Sequence, residues 1–256
     1  MEHESEYHDA MVTLLQLIWG EGYMAPGGAG NVANIAKGLE LRDKRVLDIG
    51  CGIGGPALEL ARTYGANVVG TDLDPKLIAR ARESARRLGL EAKTDFRVVE
   101  AGPLAFPEAS FDFVVSSGAF TQIAEKLAMF KEVLRVLEPG GVFSCYDWMK
   151  AEGDYSDDML YFFEVEGLTY AMETPERYVK ILEQAGFVDV SLREVTDWYR
   201  SHVRVEYEKI RGELYPRMLE LIGREQADHF VENWRAMTIV CDKRELRQAY
   251  VRGRKP

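Results

Sequence analysis

The chain has 256 residues and a formal net charge of −10, from 42 acidic and 32 basic side chains. A chain of this length buries roughly 75% of its unfolded surface, so its fold requires no disulfides. The acidic balance argues against a nucleic-acid partner, since phosphate contacts need a basic surface. The three cysteines are widely spaced with no histidine at ligand spacing, so we expect no metal site.

Charged residues interrupt the longest apolar runs of the chain. The N-terminus, MEHESEYHDA, is acidic where a signal peptide is basic and then apolar. We therefore expect no membrane segment and a cytoplasmic protein.

Residues 1–40 read as helices interrupted by the glycine-rich stretch GEGYMAPGGAG. From Arg45 onward, short β-rich runs alternate with helical stretches over 56–65, 75–89 and 124–136. The β-rich runs are RVLDIG, NVVGTDL, FRVVE, FDFVVSS and GVFSCYDW. Strands separated by crossover helices predict an α/β fold with a parallel sheet covered on both faces.

Beyond residue 150 the alternation changes. Residues 154–184 read as helical and are rich in aromatics, and residues 198 to about 234 read as helical and amphipathic. The β-rich runs VDVSLREVT and ELRQAYVRG flank that second region. This order predicts helices inserted between the last strands.

The sequence VLDIGCGIGG at 46–55 joins a strand to a helix. The strand carries Asp48, and Gly50, Gly52 and Gly54 follow it. Glycines permit positive φ and remove Cβ atoms, so a ligand can lie against the backbone and the N-terminus of the next helix. This stretch therefore predicts a ligand-binding turn.

Acidic residues follow the next two predicted strands. Asp72 stands 22 residues after Gly50, where its carboxylate can accept from both ribose hydroxyls of an adenosine, and Glu100 ends the third strand. These residues would lie at the carboxyl edge of the sheet, the ligand crevice of open α/β folds. For Asp74 we favour capping of the helix that begins at Pro75.

The position of Asp48 helps to choose between two classes of ligand. A dinucleotide pyrophosphate is anionic, and an acid directly before the glycines would repel it. A ligand with an α-ammonium group is compatible with that acid, so the residues favour S-adenosylmethionine. A Rossmann oxidoreductase and a cofactor-binding regulator are the alternatives.

The run DIGCGIGG with Asp72 after it resembles motif one and the second-strand acid of class I methyltransferases. FPEASFDFVVSS and LRVLEPGG resemble that family's fourth strand and the turn before its fifth. Over nearly the whole chain, IWGEGYMAPGG, TPERYVKILEQAGF and the tail from Trp234 are similar to the phosphoethanolamine N-methyltransferase family.

The resemblance implies a Rossmann-like class I methyltransferase fold with a parallel sheet, an antiparallel last strand, an N-terminal helical lid and a C-terminal helical insertion. It implies one domain over 1–256. Its parts would be a lid at 1–40, a cofactor-binding core at 41–150, and acceptor-side helices with the last strands at 151–256. We expect a monomer or homodimer.

The resemblance also implies S-adenosylmethionine as cofactor, held by residues of the lid, the glycine turn and the strand ends: Tyr23, Gly27, Gly28, Asp48, Gly50, Gly52, Asp72, Leu73, Glu100, Ala101 and Ser116. Tyr23, Gly27 and Gly28 would cover the methionine moiety. Glu100 with Ala101 would contact the adenine, although the family usually has Asp at the first position. Ser116 would lie near the methionine end, at the mouth of the acceptor site.

The acceptor side departs from the family at its catalytic positions. The family pairs a tyrosine of the first helix with a histidine after the fourth strand, and Tyr7 matches the tyrosine. Gln122 stands at the histidine position and Gly118 at that of a nearby catalytic Asp. We expect Tyr7 and Gln122 to orient the acceptor, with Tyr7 at most a minor base because its ordinary pKa is about 10.

The family's phosphate-binding positions also differ. They read Trp148, Glu164, Leu168, Tyr170 and Met237 in this chain, and only Tyr170 is retained. A phosphate carries about −1.5 to −2 charges, so a pocket without a cation and with an added carboxylate binds it poorly. We therefore do not expect phosphoethanolamine to be the acceptor.

The same region is rich in aromatic residues, namely Trp148, Tyr161, Phe162, Tyr170 and Trp234. Together with Glu164 or Glu166 they would suit a small cation or a neutral apolar group, because aromatic faces attract cations. Aromatic residues at helical spacing are also typical of an ordinary core. The predicted acceptor-binding residues are Trp148, Glu164, Tyr170, Trp234 and Met237.

The leading hypothesis is an N-methyltransferase that acts on a small amine without phosphate. The alternative is an S- or O-methyltransferase on a small thiol, thioether or hydroxyl compound, since thiolates and thioethers need no strong base. In either case the N-terminal helix is expected to close over the cofactor, with Gly20 and Gly22 as hinges.

Overall fold

The structure is a computed structural model that describes residues 9–256. Its strands are β1 Arg45–Ile49, β2 Asn67–Asp72, β3 Thr94–Val98, β4 Phe111–Ser117, β5 Leu137–Lys150, β6 Val188–Glu194 and β7 Leu246–Arg254. Its helices are α1 Asp9–Trp19, α2 Gly28–Ala36, α3 Gly55–Tyr64, α4 Pro75–Leu88, α5 Lys126–Val136, α6 Asp157–Glu166, α7 Pro175–Ala185, α8 Thr196–Arg211 and α9 Tyr215–Asp242. A short 3₁₀ turn, Phe120–Gln122, follows β4.

The strands form one sheet in the order β3-β2-β1-β4-β5-β7-β6. Neighbouring strands from β3 to β5 are parallel, whereas β7 runs antiparallel to both β5 and β6. The central strand β1 is buried after its first residue, as a strand covered on both faces must be. The predicted parallel sheet with an antiparallel last strand is confirmed, and α8 and α9 form the predicted insertion between β6 and β7.

The helix boundaries follow the local signals. Pro75 lies in the first turn of α4, and Asp74 caps it by accepting from the backbone N–H groups of Lys76 and Leu77 at 2.7 and 3.4 Å. Gly65 and Gly89 end α3 and α4 with φ of 73° and 67°. The capping role predicted for Asp74 is confirmed.

One predicted strand end differs from the structure, and each of two predicted helical regions contains two helices. Strand β3 ends at Val98, so Glu100 lies in the loop beyond it. The helical region 154–184 is divided into α6 and α7, because α6 ends in a left-handed cap at Gly167. The region 198–234 contains two helices, and the second is interrupted at Gly223, where the backbone is non-helical.

Helix α1 is part of the main hydrophobic core. It buries Met11, Val12, Leu14 and Leu15, and three of these belong to the cluster that also contains the core residues of α8 and α9. The predicted lid is therefore packed into the fold along its first helix.

No helix within residues 9–256 is both long and apolar enough to cross a membrane.

Leu14→Ala tests how much this packing stabilises the fold. Leu14 is 1% exposed, so the substitution leaves a cavity and should lower the free energy of unfolding by about 2–5 kcal/mol. Leu17→Ala on the same helix is the control, because Leu17 is 40% exposed and its truncation should change stability by less than about 1 kcal/mol. Urea unfolding measures both. Equal effects of the two substitutions would contradict the packing described for α1.

Candidate active site

The glycine turn between β1 and α3 has a backbone that only small residues permit. Gly50 has φ of 70°, and a Cβ atom there would lie 2.2 Å from the Cβ atom of Ala119. The N–H groups of Gly50 and Cys51 both donate to the Thr71 carbonyl, at 2.9 and 3.0 Å. These bonds hold the turn against β2, beside the N-terminus of α3, where backbone N–H groups favour negative or polar ligand groups.

Asp48 lies in β1 directly before this turn and is fully buried. Neither of its carboxyl oxygens has a partner in good hydrogen-bond geometry among residues 9–256. Burial and the negative charge of Asp72 raise its pKa to about 8, and the backbone N–H of Ala57 opposes only part of this rise. A buried carboxyl without a well-formed hydrogen bond is costly, and a positive ligand group beside it would favour the ionised form.

Asp72 ends β2 and joins the glycine turn to the next helix. Its carboxylate accepts from the backbone N–H groups of Gly52 and Asp74, at 2.9 and 3.1 Å. Burial raises its pKa. A carboxylate has about four acceptor positions, so two bonds leave capacity for ligand hydroxyls.

The predicted adenine contacts lie beside Asp72. The N–H of Val99 donates to the Asp72 carbonyl at 3.0 Å, which brings Glu100 and Ala101 to this edge of the sheet. Both are exposed. Leu73 is 52% exposed and offers an apolar surface next to the Asp72 carboxylate, as a ring-binding position requires.

The segment before α2 lies directly on the glycine turn. A Cβ atom on Gly55 would be 2.1 Å from the Gly22 carbonyl oxygen, and one on Gly52 would be 3.2 Å from the Met24 sulfur. The Tyr23 ring lies against Gly28 and Gly55, and burial raises its pKa to about 12. Sequence reasoning missed Met24, because only the folded chain shows that it reaches the turn.

Gly27 precedes α2 with φ of 84°, and Gly28 begins the helix with φ of 49°. A Cβ atom on Gly28 would lie 2.4 Å from the Trp19 carbonyl oxygen. Both positions therefore require glycine where the lid meets the end of α1, and a contact with the methionine moiety stays a prediction.

Ser116 does not occupy the open position expected of it. Its side chain is buried, and its hydroxyl donates to the Ile49 carbonyl at 2.9 Å. The neighbouring Ser117 instead accepts from the Asn31 side chain of α2, at 3.0 Å. The Ser116 hydroxyl thus links β4 to β1. Ser116 and Ser117 have different partners because successive side chains of a strand point to opposite faces of the sheet.

The residues present fit S-adenosylmethionine. A glycine-rich turn lies at a helix N-terminus, and the buried Asp48 precedes it in β1. Asp72 and the exposed Leu73 follow at the next strand. These are the groups that would hold an ammonium, a ribose and an aromatic base.

On the acceptor side, four aromatic rings form a connected group that we call the aromatic wall: Trp148, Phe162, Tyr170 and Tyr199. The Trp148 ring lies 6.1 Å from the rings of both Tyr170 and Tyr199, and Phe162 lies 6.2 Å from Tyr170. The rings of Trp148 and Tyr170 are inclined by only 23°. Two of the predicted acceptor residues, Trp148 and Tyr170, are therefore brought together.

The carboxyl group beside this wall belongs to Glu166. Burial raises its pKa to about 8, and a hydrogen bond from the Tyr170 side chain opposes the rise. Its Oε2 atom is buried with no partner among the described residues. Glu164, the residue predicted for this role, is exposed on α6. Because residues two apart on a helix point about 200° apart, only one of the two can face the wall.

Trp234 and Met237 are interior packing residues of α9. Trp234 is 1% exposed, and its indole N–H donates to Glu206 at 3.0 Å. The Trp19 indole donates to the other oxygen of Glu206 at 2.7 Å. Met237 is fully buried, with its sulfur 3.0 Å from the Tyr199 hydroxyl. Neither predicted acceptor residue presents surface to a ligand in this conformation.

Gln122 ends the 3₁₀ turn after β4, and this turn is fastened to the segment that carries Tyr170. The N–H of Ala171 donates to the Thr121 carbonyl at 2.8 Å. Gln122 directly follows Thr121 and Tyr170 directly precedes Ala171, so this bond brings the backbones of Gln122 and Tyr170 close together. Tyr7, the other predicted catalytic residue, lies outside the described residues.

A buried lysine, which sequence reasoning missed, holds the same two segments. The Lys126 ammonium donates to the carbonyls of Ile123, at 2.8 Å, and Ala171. The buried Asp147 interacts electrostatically with this ammonium. Burial raises the pKa of Asp147 to about 7, and the charge of Lys126 is the main effect that opposes this rise.

Within residues 9–256 no cluster of three or more histidine, cysteine or acidic residues could hold a metal.

The chain is similar in sequence to known methyltransferases. The profile of a family described as a methyltransferase domain matches residues 46–141. Phosphoethanolamine N-methyltransferase 1 of Zea mays is 30% identical over 232 residues, which cover 90% of this chain and 45% of that protein. The phosphoethanolamine N-methyltransferase of Plasmodium falciparum is 27% identical over 247 residues, or 95% and 91%. The chain spans about half the length of the plant relative.

A solved structure is similar over nearly the whole chain. It is phosphoethanolamine N-methyltransferase 2 of Haemonchus contortus, in complex with phosphomonomethylethanolamine and S-adenosylhomocysteine. It superposes with a TM-score of 0.91 at 25% identity, over 99% of this chain and 59% of that one.

The pKa of Asp48 leads to a test of the cofactor site. With a pKa of about 8 in the free protein, this carboxyl is mostly protonated at pH 6. A cationic ligand binds its ionised form, so binding releases a proton and affinity for S-adenosylmethionine should rise between pH 6 and 8, by at most about tenfold per pH unit. Titration calorimetry measures this slope.

Asp48→Asn should remove most of the pH dependence, because the amide does not titrate. Asp74→Asn is the matched control: it removes the same charge near the turn, and asparagine caps a helix about as well as aspartate. An unchanged pH slope in Asp48→Asn would show that another group titrates with binding.

Proposed function

Because this chain belongs to the class I S-adenosylmethionine-dependent methyltransferases, we propose that it transfers the methyl group of S-adenosylmethionine to a small amine that carries no phosphate. One observation carries this proposal. The buried Glu166 carboxyl stands against the aromatic wall, and no positive charge is among the groups that set its pKa. The stretch YFFEVEGLTYAME around it contains no basic residue.

This environment disfavours the phosphobases named for the relatives. A phosphate of about −1.5 to −2 charges needs cations or several donors, and the ionised form of Glu166 would repel it. Lys126 is the buried lysine of the described residues, but it is 2% exposed and its ammonium is engaged by the carbonyls of Ile123 and Ala171. An amine, in contrast, is attracted by both the carboxyl and the ring faces.

The roles of this chain's own residues follow from their chemistry. S-adenosylmethionine supplies an electrophilic methyl group, and the protein must hold the nitrogen lone pair in line with it at roughly 3–3.5 Å. Gln122 can accept and donate hydrogen bonds but cannot take a proton, so its role is to orient the amine. The amine nitrogen must reach the site unprotonated or release its proton to Tyr7 or to water.

A second candidate is S-methylation of a thioether. The observation that favours it is Gln122 itself, since a thioether has no proton to lose and needs no base. Its sulfonium product would also be cationic and compatible with Glu166. For either acceptor we expect a cytoplasmic enzyme that acts as a monomer or homodimer.

The acceptor class is tested by incubating the protein with methyl-labelled S-adenosylmethionine and separate pools of small amines, thiols with thioethers, and phosphobases. Release of S-adenosylhomocysteine is measured by mass spectrometry. We expect turnover in the amine pool, and Asp72→Ala, which removes the proposed ribose acceptor, serves as the inactive control. Turnover in the sulfur pool alone would select the second candidate. Brisk methylation of phosphoethanolamine would contradict both.

A further inference from the structure

We propose that the acceptor is bifunctional: it carries an ammonium group at the end opposite to the atom that receives the methyl group, and Glu166 with Trp148 and Tyr170 binds that ammonium. Short diamines are the substrate class that fits. This inference rests on the proposed function and extends it from an amine to a particular spacing of two amino groups.

The sheet places the aromatic wall away from the point of methyl transfer. The glycine turn follows β1, Gln122 follows β4 and Trp148 lies in β5, and these strands are adjacent in that order. Ser117, the last residue of β4, pairs with Tyr146, so Trp148 lies two residues beyond the end of β4 at the carboxyl edge. The wall is therefore at the same edge as the cofactor site but one strand further from the glycine turn than Gln122.

The distance between these positions limits the length of the acceptor. Neighbouring strands are about 4.8 Å apart, and the bond between Ala171 and Thr121 holds the Tyr170 segment against the Gln122 turn. A group oriented by Gln122 and a second group at the wall are thus separated by roughly one strand spacing. About two to four methylene groups span such a gap.

Glu166 lacks the partner that an ammonium would supply. The Tyr170 side chain bonds its carboxyl group, but Oε2 is buried and unpartnered within residues 9–256. Tyr199, which faces it from α8, is itself fully buried and uncharged, and its pKa is raised well above the ordinary value by burial. An ammonium would bring both a positive charge and hydrogen-bond donors to this unpaired oxygen.

The aromatic rings add a second attraction for the same charge. Ring faces attract a cation within about 6 Å of the ring centroid. Trp148 and Tyr170 are close to parallel, with centroids 6.1 Å apart. Tyr170 is only half-buried, so this end of the wall is accessible to a ligand, whereas Phe162 and Tyr199 behind it are fully buried.

The test compares 1,3-diaminopropane with propylamine as methyl acceptors, in the wild type and in Glu166→Gln. The wild type should prefer the diamine by about 10- to 100-fold in kcat/KM, the range expected of a hydrogen bond to a charged group. Glu166→Gln should abolish this preference because it should raise KM for the diamine far more than KM for propylamine, with little change in kcat for either amine. Glu164→Gln, on the exposed side of α6, is the matched control and should retain the preference.

Other results would overturn the inference. Equal kcat/KM values for the two amines in the wild type would do so. Equal decreases in kcat/KM for both amines in Glu166→Gln would also do so, since the carboxyl would then serve the reacting amine or the fold. Glu166→Asp provides a second variant that keeps the charge, and it should recover part of the preference.

A failure of the proposed function gives a different signature. If the wild type methylates neither amine, binding of 1,3-diaminopropane in the presence of S-adenosylhomocysteine is measured by calorimetry. Binding that is lost in Glu166→Gln and kept in Glu164→Gln supports an ammonium subsite without amine methylation. Absence of diamine binding to the wild type would refute the subsite as well.

Discussion

Burial of carboxyl groups at the carboxyl edge of the sheet is the constraint on which the rest of this structure depends. Asp48, Asp147 and Glu166 all have raised pKa values because the fold removes them from water. The positive charge of the Lys126 ammonium partly offsets the cost of burying Asp147. The protein offers no such cation to Asp48 or Glu166 among the described residues, so these two carboxyls are where ligands with positive groups gain most.

The two halves of the site are joined by the same core. Met24 and the Gly22 carbonyl lie on the glycine turn, while α1, just before them, packs into the cluster that includes α8 and α9. Glu206 accepts from the indoles of both Trp19 and Trp234 and so links the first helix to the inserted helices. The lid, the cofactor turn and the acceptor side are therefore parts of one packed unit.

The fold is similar throughout the chain to a phosphoethanolamine N-methyltransferase solved with its ligands. In the proposed function the acceptor is selected at Gln122 and around Trp148 and Glu166. The shared fold does not by itself determine the acceptor, because function resides in the site and not in the fold.

Local signals in the sequence were enough to predict the sheet and the glycine turn. The alternation of strands and helices, the prolines and glycines at helix ends, and Asp48 and Asp72 around the glycine turn are such signals, since a strand, a cap or a tight turn depends on residues close in the chain. The arrangement of the acceptor side became visible only in the folded chain. Folding placed Glu166 rather than Glu164 at the aromatic wall, buried Trp234 and Met237, and engaged the Ser116 hydroxyl within the sheet. Such outcomes depend on which helix face meets which neighbour, and packing between segments far apart in the chain sets that orientation.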